Sequence, residues 1–167
     1  MSDYLRKLEQ KQKEYVNRDL IAFYIGISMQ LKKYGDGSTK QKKTVYPPDN
    51  WSEFTLDHCR TLKSTYVRNN QLYSYQGIGI ATGEKNNIFV LDIDDVGKFE
   101  ELIDMKIDHI LAKLWTSSVP VVKTRKGYHF YFRYDSRYSE KKTELGECFD
   151  VLSNGCFVIS ARLVILR

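Results

Sequence analysis

Ile88-Phe89-Val90-Leu91-Asp92-Ile93-Asp94 decides how this chain reads. The run from Ile88 to Ile93 is almost unbroken apolar sequence, and Gly77, Gly79 and Gly83 precede it. A short run of this kind reads as a central strand covered on both faces. Its end is charged. Side chains alternate across a strand, so Asp92 and Asp94 point one way and Ile93 points to the core. Residues two apart lie roughly 7 Å apart along a strand. Carboxylates so spaced can bracket divalent cations, which lie about 3.5–4 Å apart in two-metal sites. Without a cation the two acids would repel each other. The competing reading is that Asp94 or Asp95 caps the next helix, as Asp often does. Asp95 is the expected cap, and three acids exceed what one cap requires.

Downstream, Phe99, Leu102, Ile103, Ile107, Ile110, Leu111 and Leu114 recur at helical spacing. Val119 to Thr124 and Tyr128 to Tyr134 then read as a hairpin with Lys126-Gly127 near its turn. Within it Tyr128, Phe130, Phe132 and Tyr134 share one face, and His129, Tyr131 and Arg133 the other. Lys123, Arg125 and Lys126 stand just before them. Such a grouping can hold a triphosphate through charge-assisted hydrogen bonds; a strand histidine can equally be structural. Asp150 lies between Phe149 and Val151, where a carboxylate is costly unless paired or bound to a cation. It becomes a third ligand if its strand lies beside the first, or else an ion-pair partner of a nearby Lys or Arg. Phe149–Ser153 and Cys156–Ser160 flank Asn154-Gly155, a type I′ hairpin signal.

Upstream, Ser2 to Gln12 is polar and helix-permissive. Tyr15, Val16, Leu20, Ile21, Phe23 and Tyr24 suggest that this helix enters a core. Tyr34 to Lys43, with Gly35 and Gly37, reads as a loop. Pro47-Pro48-Asp49-Asn50 breaks the chain before Trp51, and a weak helix follows from Leu56 to Tyr66. No internal repeat is visible. The order predicts an α+β fold, an antiparallel sheet with a helix on one face behind an N-terminal helical lobe.

With 167 residues the chain suits one compact domain, or one with a small accessory lobe. Hydrophobic residues make up 42%, which excludes global disorder. The net charge of +5 permits a polyanionic partner without requiring one. The positive charge gathers at Lys40/Lys42/Lys43, at Lys123/Arg125/Lys126 and at Lys141/Lys142; each cluster is either an anion contact or a solvated loop. Cys59, Cys148 and Cys156 lack zinc or disulfide spacing, so no structural zinc is expected. No signal peptide or membrane span is visible, so a soluble intracellular protein with no membrane partner is expected. His58 and His109 read as surface residues. The glycines form no dinucleotide motif, and neither a Walker A sequence nor a nucleophile elbow is present.

Taken together, these residues resemble the prim-pol family, the bifunctional primase/polymerase branch of the archaeo-eukaryotic primase superfamily. Gly77-Ile78-Gly79-Ile80-Ala81-Thr82-Gly83 and Phe89-Val90-Leu91-Asp92-Ile93-Asp94 resemble the approach and first motif. Thr124-Arg125-Lys126-Gly127-Tyr128-His129-Phe130-Tyr131-Phe132 resembles the histidine-centred second motif. Phe149-Asp150-Val151 with Gly155 to Ser160 resembles the third. The resemblance runs from about Lys43 to Ser160, with weaker signals at Pro47 and Trp51.

The resemblance implies a single catalytic domain over 1–167, in which an RRM-like antiparallel-sheet subdomain (77–167) packs on an N-terminal helical or α/β lobe (1–76). It implies two Mg²⁺ or Mn²⁺ ions on Asp92, Asp94 and Asp150, and His129 on the incoming NTP or dNTP, with Lys123, Arg125, Lys126 and Arg133 beside it. Template-directed nucleotidyl transfer on a DNA template and primer follows as the expected activity. Such domains often stand ahead of a helicase in replication proteins of plasmids, phages and large DNA viruses. No helicase is visible here, so one encoded elsewhere is among the partners allowed. Family members usually continue past the third motif with a Pro-rich segment. This chain stops at Arg167, as a fragment, a truncated product or a minimal domain would. A catalytically inactive single-stranded nucleic-acid-binding module and a nucleotide cyclase are the rival readings; the acid trio argues against the first and the histidine motif against the second.

Overall fold

A computed structural model describes residues 2–33, 35–140 and 148–160. Lys141, Lys142, Tyr34 and the segment 161–167 lie outside the described residues. The fold is mixed α+β with antiparallel sheets, as the sequence predicts. The chain divides into two compact units, Met1–Ile80 and Ala81–Arg167. Among the described residues no helix is long and apolar enough to cross a membrane.

The first unit opens with helix α1 (Asp3–Val16), whose Ser2 hydroxyl accepts the Leu5 amide as N-cap. The predicted helix stops short of Leu20. Asp19 adopts a left-handed φ of 59°, and the Leu20 amide folds back to the Tyr15 carbonyl at 3.1 Å. The apolar run that follows is strand β1 (Ala22–Lys33), whose first residues are buried whichever face they take. A helix would have left one side of that run in water. Buried Gln12 ties the pieces together, its Nε2 donating to the Ala22 carbonyl at 2.9 Å and the Cys59 carbonyl at 2.8 Å.

β2 (Thr39–Tyr46) occupies much of the segment read as a loop. Its lysines lie in water on an exposed ribbon, so no apolar alternation marks the strand. Helix α2 (Leu56–Thr61) is shorter than predicted, because β-branched Thr65 and Val67 belong to strand β3 (Thr65–Arg68). β3 pairs with β4 (Gln71–Ser74) across Asn69-Asn70, both at positive φ. β5 (Gly77–Ala81) runs antiparallel to the start of β1. The first unit therefore carries strands β1 to β4 and most of β5 beside helices α1 and α2.

The second unit centres on strand β6 (Ile88–Ile93), as predicted. Helices α3 (Val96–Ile103) and α4 (Ile107–Thr116) replace the single helix expected. Asp104, left-handed at φ 52°, separates them. Glu100 staples the break: its carboxylate accepts the Ile107 amide and the Lys106 ammonium, both at 2.8 Å. β7 (Val121–Lys123) and β8 (Tyr128–Arg133) form the predicted hairpin, and β9 (Phe149–Leu152) completes a sheet of order β7-β8-β6-β9.

One face of this sheet packs on the helices. Ile93, Phe130 and Cys148 meet Phe99 and Ile107, with Ile110, Leu111 and Leu114 against them. Each such large side chain contributes about 1.5–3 kcal/mol by leaving water. β10 (Phe157–Ile159) is not a strand of this sheet, so the predicted β9–β10 hairpin does not form. Only Gly155 of the Asn154-Gly155 pair has positive φ, whereas a type I′ turn needs both. Asn154 is instead engaged elsewhere: its Oδ1 accepts the Glu84 amide at 2.8 Å and its Nδ2 donates to the Tyr134 hydroxyl at 3.2 Å.

Candidate active site

Register places three of the expected residues in one row. Asp92 of β6 pairs with His129 of β8 on one side and with Asp150 of β9 on the other. Directly paired residues share a sheet face, so the two acids and the histidine line up on the face opposite the helices. His129 Nε2 lies 3.1 Å from Asp92 Oδ1, and both side chains are largely buried, at 13% and 22% exposure. His129 Nδ1 is buried without a hydrogen-bond partner. An orphaned buried polar atom costs about 1–3 kcal/mol, and functional sites commonly carry such atoms.

Asp94 stands one residue past the end of β6, and its amide still donates to the Cys148 carbonyl at 2.9 Å. Its side chain is 60% exposed, and Lys126 Nζ lies 4.0 Å from Oδ1. So open an ion pair contributes about 0–1 kcal/mol. Asp95 caps α3 by accepting the Lys98 amide at 3.2 Å, as expected.

The β7–β8 turn carries Arg125 and Lys126 to the same end of the sheet. Thr124 Oγ1 shapes it, accepting the Gly127 amide at 2.9 Å and the Lys126 amide at 3.3 Å. Gly127 is buried against β6, and a Cβ there would overlap the Ile93 carbonyl oxygen. The turn is thus seated on the backbone between Asp92 and Asp94.

The Prim-Pol family, described as "Bifunctional DNA primase/polymerase, N-terminal", matches residues 36–164. The chain belongs to the bifunctional DNA primase/polymerase family. No curated protein and no solved structure matches it. Within this Prim-Pol chain two expected residues stand away from the row. Lys123 pairs with Tyr128, which places it on the helix-covered face, its ammonium 6.0 Å from the Tyr128 ring centroid. Arg133 shares the face of His129 but lies four residues along β8, about 13 Å by strand rise. Arg125 and Lys126 are exposed at the turn.

Among the described residues, no three His, Cys, Asp or Glu side chains converge closely enough to hold a metal ion as they stand. Asp92 is turned to His129, and Asp94 lies toward Lys126. The expected ligands Asp92, Asp94 and Asp150 offer carboxylate oxygens alone, donors that would suit Mg²⁺ or Mn²⁺ rather than zinc. None of the three cysteines is in a disulfide, and Cys59 and Cys148 are buried.

Sequence reasoning missed Gly127 as a packing requirement, reading it only as a residue near the turn; the signal available was the Thr124-x-x-Gly127 spacing of a hydroxyl-stabilised turn. It also left His58 without a role. His58 closes a capping box with Thr55, and its Nδ1 accepts the Thr55 amide at 3.2 Å.

Proposed function

We propose that this Prim-Pol domain joins nucleotides on a DNA template, the 3′-hydroxyl of a primer displacing pyrophosphate from an incoming NTP or dNTP. The observation that carries the reading is the row Asp150–Asp92–His129, three motif residues in direct cross-strand register in a chain of this family. Divalent cations held by Asp92, Asp94 and Asp150 would neutralise charge on the transferring phosphoryl group and its leaving oxygen.

Asp92 is paired with His129 through the ring Nε2 alone. On this reading the pair separates in the working complex. His129 directs its ring N–H to a phosphate oxygen, and Asp92 is released as a ligand. Asp94 is exposed and changes rotamer at little cost. Arg125 and Lys126 orient the anionic tail of the nucleotide for in-line attack. Gly127 holds their turn against Ile93.

A second reading has a specific observation behind it. The acids do not converge, and Asp92 is occupied by His129, which suits a primase-like module that binds single-stranded nucleic acid without catalysis. Incorporation of a labelled nucleotide on a primed template, with and without Mg²⁺ or Mn²⁺, separates the two. Metal-dependent extension that disappears in Asp92→Ala supports the enzyme. Binding without extension under every metal condition supports the module.

A further inference from the structure

We propose that the ribbon formed by β1 and β2 beyond Ile27 is an arm that enters the major groove of duplex DNA. It deepens the function proposed above by naming how the template–primer duplex is held, and it rests on that reading only for its purpose.

The ribbon begins where β5 leaves β1. Ile25 pairs with Gly77, and one step further the Gln76 side chain replaces the departing strand, its Oε1 accepting the Ile27 amide at 2.8 Å. From Ser28↔Thr44 to Lys33↔Thr39 the ladder joins β1 and β2 alone. Six residues per strand span roughly 20 Å. The major groove of B-DNA, about 12 Å wide, admits a two-stranded ribbon.

Its charge is one-sided. Residues 28–44 contain Lys32, Lys33, Lys40, Lys42 and Lys43 against the single acid Asp36. Asp36 serves the turn, accepting the Ser38 amide at 2.9 Å. All five lysines are exposed. Register places Lys32, Lys40 and Lys42 on one face with Gln30, and Lys33 and Lys43 on the other with Met29 and Leu31. A strand running over a flat surface would need cations on one face only. A groove presents phosphates along both walls, and cations on both faces suit it.

Two further features favour a duplex. Met29 and Leu31 are 54% and 73% exposed, apolar side chains able to meet thymine methyl groups in the groove. Of residues 28–44 Tyr34 alone is aromatic, whereas single strands are held largely by stacking on successive aromatics.

The test measures binding of the full chain to a labelled blunt duplex and to one of its strands by fluorescence anisotropy across a salt series. The variant is Lys32→Ala/Lys40→Ala/Lys42→Ala, with circular dichroism and thermal unfolding to show that it folds. Each lost phosphate contact on duplex makes the log–log slope shallower by about 0.9, so the triple variant is expected to change it by about 2.7. The single-strand slope is expected to change by less than half as much, and Lys32→Arg/Lys40→Arg/Lys42→Arg to keep the wild-type slope. An unchanged duplex slope, an equal change on the single strand, or no duplex binding by the wild type overturns the proposal. Because the readout is binding, a wild-type chain that binds duplex but incorporates no nucleotide sinks the enzyme reading and leaves the arm standing.

Discussion

Two places in the molecule set like charges directly opposite each other across an antiparallel pair. Asp92 faces Asp150 in the sheet of the second unit, and Lys32 faces Lys40 on the ribbon of the first. Like charges so placed destabilise a sheet by up to about 1 kcal/mol. The surroundings differ. The acids lie within a four-stranded sheet with its other face packed on helices, and His129 stands beside Asp92. The lysines lie on a ribbon with water around it. The first arrangement fixes the backbone positions of its groups, as the proposed phosphoryl transfer would need. The second can follow the contour of a partner, which backbone recognition needs. On the readings proposed above, a cation would relieve the acids and a polyanion the lysines.

The sharpest way to break this contrast is at the acids. Asp92→Ala and Asp94→Ala are each expected to abolish incorporation on a primed template, a loss of several kcal/mol in transition-state stabilisation, while circular dichroism shows a folded domain. Near-wild-type turnover in either variant would remove that acid from catalysis, and in Asp92→Ala it would make the row a structural one.

Gly127→Ala tests whether the rigid side of the contrast depends on backbone fit. The added methyl group meets the Ile93 carbonyl oxygen, which cannot move without disturbing the strand between the acids. The expected cost is about 1–3 kcal/mol of stability, read as a lowered thermal midpoint. Gly97→Ala is the control, since its Cβ would meet only the Asp95 carboxylate at an ordinary 3.6 Å. Equal midpoints for the two variants would show that the turn seats differently.

His129→Ala separates nucleotide from metal. Loss of a hydrogen bond to a charged group costs about 1.5–3 kcal/mol, so nucleotide affinity is expected to fall roughly tenfold or more. Mn²⁺ affinity, titrated alone, should hold or rise, because Asp92 loses its partner. A variant that loses Mn²⁺ and keeps its nucleotide would make His129 a metal ligand.

The smallest effect is expected in the first unit. Burial, with Glu9 nearby, pushes the Tyr24 hydroxyl from 10.0 up to about 12. A raised folded value means that the neutral form is the one the fold favours. Its contribution is complete below pH 10 and is lost as pH rises toward about 12. Tyr24→Phe should flatten that alkaline decline in thermal midpoint; an unaltered decline would assign it to another group.

What the sequence by itself determined lies where local signals agree. β6 and the β7–β8 hairpin follow from apolar runs and turn residues, and the Asp95 cap from the capping rule. Tertiary structure alone decided what depends on a neighbouring strand. Leu20 to Tyr24 read as helix because its apolar residues fit either period, and only burial from both sides makes the run a strand. Asn154-Gly155 carries the signal of a hairpin, but β9 takes β6 as its partner, and that choice is what brings Asp150 opposite Asp92. Lys123 sits in the same basic cluster as Lys126, yet pairing with Tyr128 rather than His129 puts it on the face away from the row. Alternation along one strand can be read from one dimension. Which residue stands across from which is set by pairings between segments far apart in the chain, and no local preference encodes those.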